Sequence, residues 1–224
     1  LRGLAAILTS FIREERNMQR KIHLAPEVVG TAKLVLPDQS IELDVLQGSQ
    51  QERAIDIRQL RKKTGYITLD DGFTNTGSCA SNITFVDGEN GILRYRGFPI
   101  EQIAQNCSFA ETALLLMNGD PPTARELNKF SDLLTENELL HEGLRHHFEG
   151  FPPDAHPMAI LSAMINSVSC YHPDLLMIGD ERHLLEAASK LLAKVRTIAA
   201  FAYKKVRGEP IVYPDPERDY CSNF

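Results

Sequence analysis

Residues 32–45, AKLVLPDQSIELDV, alternate apolar and polar positions beyond a Pro-Asp turn, with Ile41, Leu43 and Val45 set between Glu42 and Asp44. A period of two puts the apolar set on one face, so the stretch predicts a β-hairpin with its other face toward solvent. QGSQQER is a polar connector, after which AIDIRQL and GYITLDDGFTNTGS predict short extended pieces broken by Gly65, Gly72 and Gly77. A second hairpin is predicted in SNITFVDGENGILRYRG, Ser81 to Gly97. There Ile83, Phe85 and Val86 are strand formers, Asp87 to Gly91 is a turn, and Ile92 to Arg96 mixes apolar with basic residues.

From Pro99 onward the pattern becomes helical, and local chemistry marks the ends. Pro99 opens one helix. Ser108-Phe109-Ala110-Glu111 has the pattern of a capping box, in which the hydroxyl accepts from the third backbone N–H and the glutamate reaches back. That helix carries Ala113, Leu114, Leu116 and Met117 and stops at Gly119, with Pro121 and Pro122 beyond it. Thr123-Ala124-Arg125-Glu126 repeats the box and starts a helix that buries Leu127, Phe130 and Leu134. His156-Pro157-Met158 starts another that runs to about Cys170, where Ala159, Ser162, Ala163, Ser167 and Ser169 leave much of the surface small. Asp180 caps a long helix ending near Gly208, whose inner line is Leu184, Ala188, Leu191, Val195 and Ala199. No internal repeat suggests a solenoid.

The 224 residues are 43% apolar, enough for a real core, and carry a net charge of −6. Acids outnumber bases, so a nucleic-acid partner is not expected. No apolar run reaches the roughly 18 residues that a membrane span needs. The opening LRGLAAILTSFIREERNMQRK contains Glu14 and Glu15, which transit peptides avoid, so it is expected to be upstream sequence ahead of a start at Met18. Cys79, Cys107, Cys170 and Cys221 show no CxxC or Cys/His pairing, so buried free thiols in a reducing cytoplasm are expected.

HEGLRHH, residues 141–147, invites a metal reading that its spacing defeats. His141 and His146 are five apart, not the four that align two ligands on one helix face, so a partly solvated helix is expected. His156 sits at a helix start, where the dipole disfavours an imidazolium, and is expected to be a neutral, hydrogen-bonded structural residue. No segment has the glycine spacing of a phosphate-cradling loop.

The second hairpin running into FPIEQIA, with FAETALLLMNGDPPT and HPM at His156, resembles the N-terminal portion of citrate synthase, of the bacterial kind with a small β-rich segment in front. The resemblance runs from about Ala32 to Phe224. It implies a mainly α fold, a partial helical large domain over 65–224 preceded by a β-rich segment over 18–64, with 1–17 an upstream or disordered extension. It also implies the condensation of oxaloacetate with acetyl-CoA in the tricarboxylic acid cycle, with no metal and no cofactor, in a cytoplasmic homodimer or hexamer.

In that family two histidines and an aspartate do the acid/base work, in segments of the second half that have no match here. The resemblance therefore implies no catalytic residue in this chain, a fragment inactive alone, and ends like those of a partial reading frame. Arg94 and Arg96 flank Tyr95 on the hairpin and read as a solvated pair on an edge strand rather than as a contact for a CoA-type phosphate or for a facing subunit. Tyr171, Lys190 and Lys194 match places that form an NADH effector site in some relatives. Glu136-Asn137-Glu138 stands where those relatives carry Arg-His-Thr, and two acids there would repel a pyrophosphate. The lysines then read as a solvated face. The small-residue helix from Pro157 and the long helix from Asp180 read as packing between subunits. Rival readings are a 2-methylcitrate synthase using propionyl-CoA and a non-catalytic helical interaction module.

Overall fold

The computed structural model describes residues 26–176 and 181–224, and the chain divides into two compact units between Thr84 and Phe85. The expected extension over 1–17, the start at Met18 and the cap at Asp180 lie outside the described residues.

In the first unit, β1 (Glu27–Val35), β2 (Ser40–Gln47) and β3 (Arg53–Ile55) form an antiparallel sheet in that order. The predicted hairpin is present and longer than its alternating core. Leu36 N–H donates to Gln39 O to close the turn, and Ala32 pairs with Leu43, which is buried. A short helix α1 (Leu60–Thr64) buries Leu60 and ends at Gly65, whose φ of 81° only glycine adopts cheaply. Gln39 Nε2 donates to Thr64 O and Tyr66 Oη to Asp38, which ties α1 to the hairpin turn. The extended pieces predicted over GYITLDDGFTNTGS do not form strands. Asp70 instead folds the segment into a turn by accepting from Asn75 N–H (2.8 Å) and Thr76 Oγ1 (2.7 Å). A side-chain acceptor that satisfies local donors removes the reason to seek a strand partner.

The second unit opens with a sheet of order β4-β5-β6, made of Thr84–Asp87, Ile92–Tyr95 and Phe98–Pro99. β5 is therefore the central strand, which corrects the edge position expected for Arg94. Pro99 is the last residue of β6 and the cap of α2 (Ile100–Asn106). Both predicted capping boxes form, Ser108 with Glu111 on α3 (Phe109–Asn118) and Thr123 with Glu126 on α4 (Ala124–Glu136). After α5 (Glu142–His146) and a 3-10 turn comes α6 (Pro157–Tyr171), then a second 3-10 turn, Pro173–Leu176, and the long α7 (Glu181–Arg207).

Two apolar clusters meet on α7. Leu140, Leu144, Phe148, Ile160, Met164 and Val168 pack with its Ile198 and Phe201, and Leu114, Phe130 and Leu134 pack with its Ala193. Phe130 and Leu134 are thus core, as predicted, and Leu127 is partly buried against them. The predicted inner line of α7 is not the buried one. Leu184 is 61% and Leu191 40% exposed, whereas Ser189, Ala193, Lys194, Arg196, Thr197, Ile198 and Phe201 are buried. Apolar character misled because mid-helix α7 is enclosed on several sides and uses polar groups there.

The chief polar contact is an ion pair. Arg196 Nη2 donates to Glu138 Oε2 at 2.8 Å, and both side chains are only 4% exposed. Thr197 Oγ1 donates to Glu138 O and Asn223 Nδ2 to Glu138 Oε2. Arg196 also donates to Tyr220 O and lies 4.8 Å from the Tyr220 ring centre. Removing one partner strands the other charge in the core. Arg196→Met is expected to cost about 3–5 kcal/mol of unfolding free energy, read from urea denaturation at neutral pH.

Candidate functional site around Tyr171

The last turn of α6 carries Tyr171 to the base of α5. His141 caps α5 with Nδ1, which accepts from Gly143 N–H at 3.0 Å, and its ring lies 4.7 Å from that of Tyr171, tilted by 31°. His147, in the following 3-10 turn, brings Nε2 to 3.4 Å from Tyr171 Oη. Gly143 makes this approach possible, since a Cβ there would lie 2.9 Å from Tyr171 Oη and 3.1 Å from His141 Nδ1. His172 follows as the C-cap of α6.

Lys190 and Lys194 come from α7. Lys190 Nζ donates to Asp174 Oδ2 at 2.6 Å, which holds the Asp174 carboxyl below its ordinary range. Lys194 is 3% exposed and donates to the carbonyls of Asn137 (3.2 Å) and Leu139 (2.9 Å). It thus satisfies the carbonyl of Asn137, the C-cap of α4, and one in the connection to α5, a role a cation suits. The solvated lysine face is therefore corrected: Lys194 is buried and Lys190 is paired. Burial lowers the Lys194 pKa, and Lys190 lowers it further. His172 is lowered as well, by burial first and then by Lys194 and Lys190, against a smaller opposing effect of Asp174.

The acids expected to repel an anion are not a pair either. Glu138 is buried and offset by Arg196, so only Glu136 is exposed. The burial and pairing of Glu138, Lys194 and Arg196 had no sequence signal beyond charged residues interrupting the apolar middle of a long helix.

The remaining candidates separate. His141 and His147 both flank Tyr171, whereas His146 stands apart, its Nδ1 3.2 Å from Glu149 Oε1. Among the described residues no group of three or more His, Cys, Asp or Glu side chains could hold a metal. His156 Nδ1 accepts from Met158 N–H at 3.2 Å, the structural role expected of it. Arg96 is half-buried rather than solvated. Its Nε and Nη2 both donate to Leu116 O, at 3.1 and 2.6 Å, and so cap the end of α3. Arg94 is half-buried and its Nη1 reaches Gly97 O at 3.4 Å. The thiols of Cys79, Cys170 and Cys221 are exposed rather than buried, and Cys107 is intermediate.

The lowered His172 pKa has a definite sign. Protonation below the ordinary histidine range near 6.5 favours the unfolded chain, so stability present at neutral pH is lost on acidification. His172→Gln is expected to show a smaller fall in Tm between neutral and mildly acidic buffer than the parent, measured by calorimetry; equal falls would contradict it.

The chain and its fold have clear relatives. Residues 72–224 match the family model described as citrate synthase, C-terminal domain. The chain is 41% identical over 194 residues to citrate synthase 1 of Mycobacterium tuberculosis, covering 87% of this chain and 45% of that protein. It is also 41% identical over 193 residues to the citrate synthase of Corynebacterium glutamicum, covering 86% and 44%. Among solved structures, the citrate synthase of Pyrobaculum aerophilum superposes with a TM-score of 0.62 at 26% identity, over 89% of this chain and 44% of that one. That of Thermotoga maritima gives 0.59 at 26%, over 70% and 40%. The chain spans about half the length of the curated relatives it matches. With a family model covering most of the second unit and relatives matched along most of the chain, this protein belongs to the citrate synthase family.

Proposed function

We propose that this chain supplies the front part of an enzyme that condenses oxaloacetate with acetyl-CoA to give citrate and CoA, in the cytoplasm. The observation that carries the reading is the 41% identity to proteins named citrate synthase, sustained over 194 residues. Residues 18–64 are read as the small β-rich front segment and 65–224 as part of the helical large domain. The family's acid/base groups lie in segments that match nothing in these 224 residues, so the chemistry is assigned to the longer protein and the chain alone is read as inactive. No helix among the described residues is long and apolar enough to cross a membrane.

A homo-oligomer is the reading for the outer face of α6. Ala159, Ser162 and Ala163 are exposed there while Ile160, Met164 and Val168 face the core, and small side chains allow another helix to approach closely.

A second reading concerns regulation. His141 and His147 flank Tyr171, the next residue, His172, lies within electrostatic reach of His141, Lys190 and Lys194, and Asp174 is the carboxylate paired with Lys190. A basic cluster beside an aromatic ring suits an anionic nucleotide, and Tyr171 and Lys190 would be its contacts, with Lys194 holding the scaffold. Binding would have to displace Asp174 from Lys190.

One assay addresses these readings. Release of free CoA thiol is measured for this chain and for a version extended to the natural stop codon, with oxaloacetate and either acetyl-CoA or propionyl-CoA. Activity in the extended protein only, greater with acetyl-CoA, is the expected result. Preference for propionyl-CoA would favour a 2-methylcitrate synthase, and turnover by the chain itself would overturn the placement of the chemistry. Inhibition by added NADH that is lost in Lys190→Ala would support the regulatory reading.

A further inference from the structure

The sequence holds two Asn-Gly pairs, Asn90-Gly91 and Asn118-Gly119, and the fold puts them in opposite circumstances. A glycine after asparagine carries no Cβ to keep its backbone nitrogen away from the neighbouring side-chain amide. Asn118 ends α3, and the N–H of Gly119 donates to Leu115 O at 2.9 Å, which holds that nitrogen in the helical ladder. Asn90 stands exposed in the turn between β4 and β5. Its N–H and Nδ2 donate to the two oxygens of Asp87, at 3.0 and 2.8 Å, so the side chain lies folded over its own turn. Gly91 has φ 67°, and nothing lies within 4 Å of where its Cβ would be.

We propose that Asn90 is a site of spontaneous deamidation, with water as the co-reactant. The Gly91 backbone nitrogen bonds to Asn90 Cγ, the Cγ–Nδ2 bond breaks, and the proton from Gly91 N leaves with that nitrogen as ammonia. Water then opens the succinimide at one carbonyl or the other, leaving aspartate or isoaspartate at position 90. No redox change is involved.

The product disturbs more than one residue. A carboxylate replaces the amide that donates to Asp87, whose own carboxyl is held below its ordinary range by that amide and by backbone N–H groups of the turn. Two like charges then face each other where a hydrogen bond had been. Isoaspartate also lengthens the backbone inside the connection that sets the register of β4 on β5. β5 leads directly to Arg96 and its hold on Leu116 O, so the change is transmitted toward the end of α3.

The test is to incubate the full chain in mildly alkaline buffer at growth temperature, with a parallel sample in urea, and to follow both asparagines by tryptic mapping with isoaspartate detection. Asn90 is expected to convert many-fold faster than Asn118 in buffer, and the two rates are expected to converge in urea. Conversion of Asn118 as fast as Asn90 in buffer, or a ratio that urea leaves unchanged, would overturn the proposal. Gly91→Ala is expected to slow conversion at Asn90 even in urea, and an unchanged rate there would rule out the route through the Gly91 nitrogen.

Discussion

The contact between Arg196 and Glu138 governs how the helices of the second unit are held. A helix enclosed in protein is ordinarily apolar all round, because each buried polar group needs its own partner. α7 departs from this in its middle, and the segment between α4 and α5 supplies the partners. Glu138 offsets Arg196 and accepts Thr197 through its carbonyl, while the carbonyls of Asn137 and Leu139 take Lys194. Apolar contacts alone tolerate sliding by part of a turn. This set does not, since a displaced α7 would leave cations without acceptors in the core.

The same segment continues to His141, whose ring packs on Tyr171. Lys194 and Tyr171, on different helices, are thus positioned from one short stretch, residues 137–141. The basic character of the cluster follows from that frame. Lys194 meets carbonyls between α4 and α5 that need a donor, and its charge adds to burial in lowering the His172 pKa. Groups that look like a ligand site in the sequence are also parts of the scaffold, and a ligand would compete with internal partners such as Asp174.

What the sequence made legible was whatever local chemistry decides. Alternation around Leu43, the Asp87–Gly91 turn and the two capping boxes each depend on residues a few positions apart, and each is present. The resemblance in the second hairpin and in FAETALLLMNGDPPT led to the family that the comparisons show. What failed depended on distant partners. The inner line of α7 was assigned by apolarity, yet Leu184 and Leu191 face outward while Arg196 and Lys194 are buried, because acceptors from another part of the chain make their burial possible. Arg96 was misplaced for the same reason, since the carbonyl of Leu116 that holds it is 20 positions away. The turn built on Asp70 was missed because a side-chain acceptor substituted for a strand partner.

The segment after α7 has a consequence for the order in which the protein can form. Tyr220 stacks flat on Phe109, with ring centres 4.5 Å apart, and donates to Leu192 O, while Asn223 reaches Glu138 across 85 positions of sequence. As a chain emerges from the ribosome, α3, α4 and α7 are made before these two residues exist. The helices can dock by then, but Phe109 lacks its stacking partner and Glu138 one of its donors. The second unit therefore completes these contacts only after Tyr220 and Asn223 have been made, through pairs of high sequence separation, and a nascent chain halted before Tyr220 would leave the Phe109 ring without its partner.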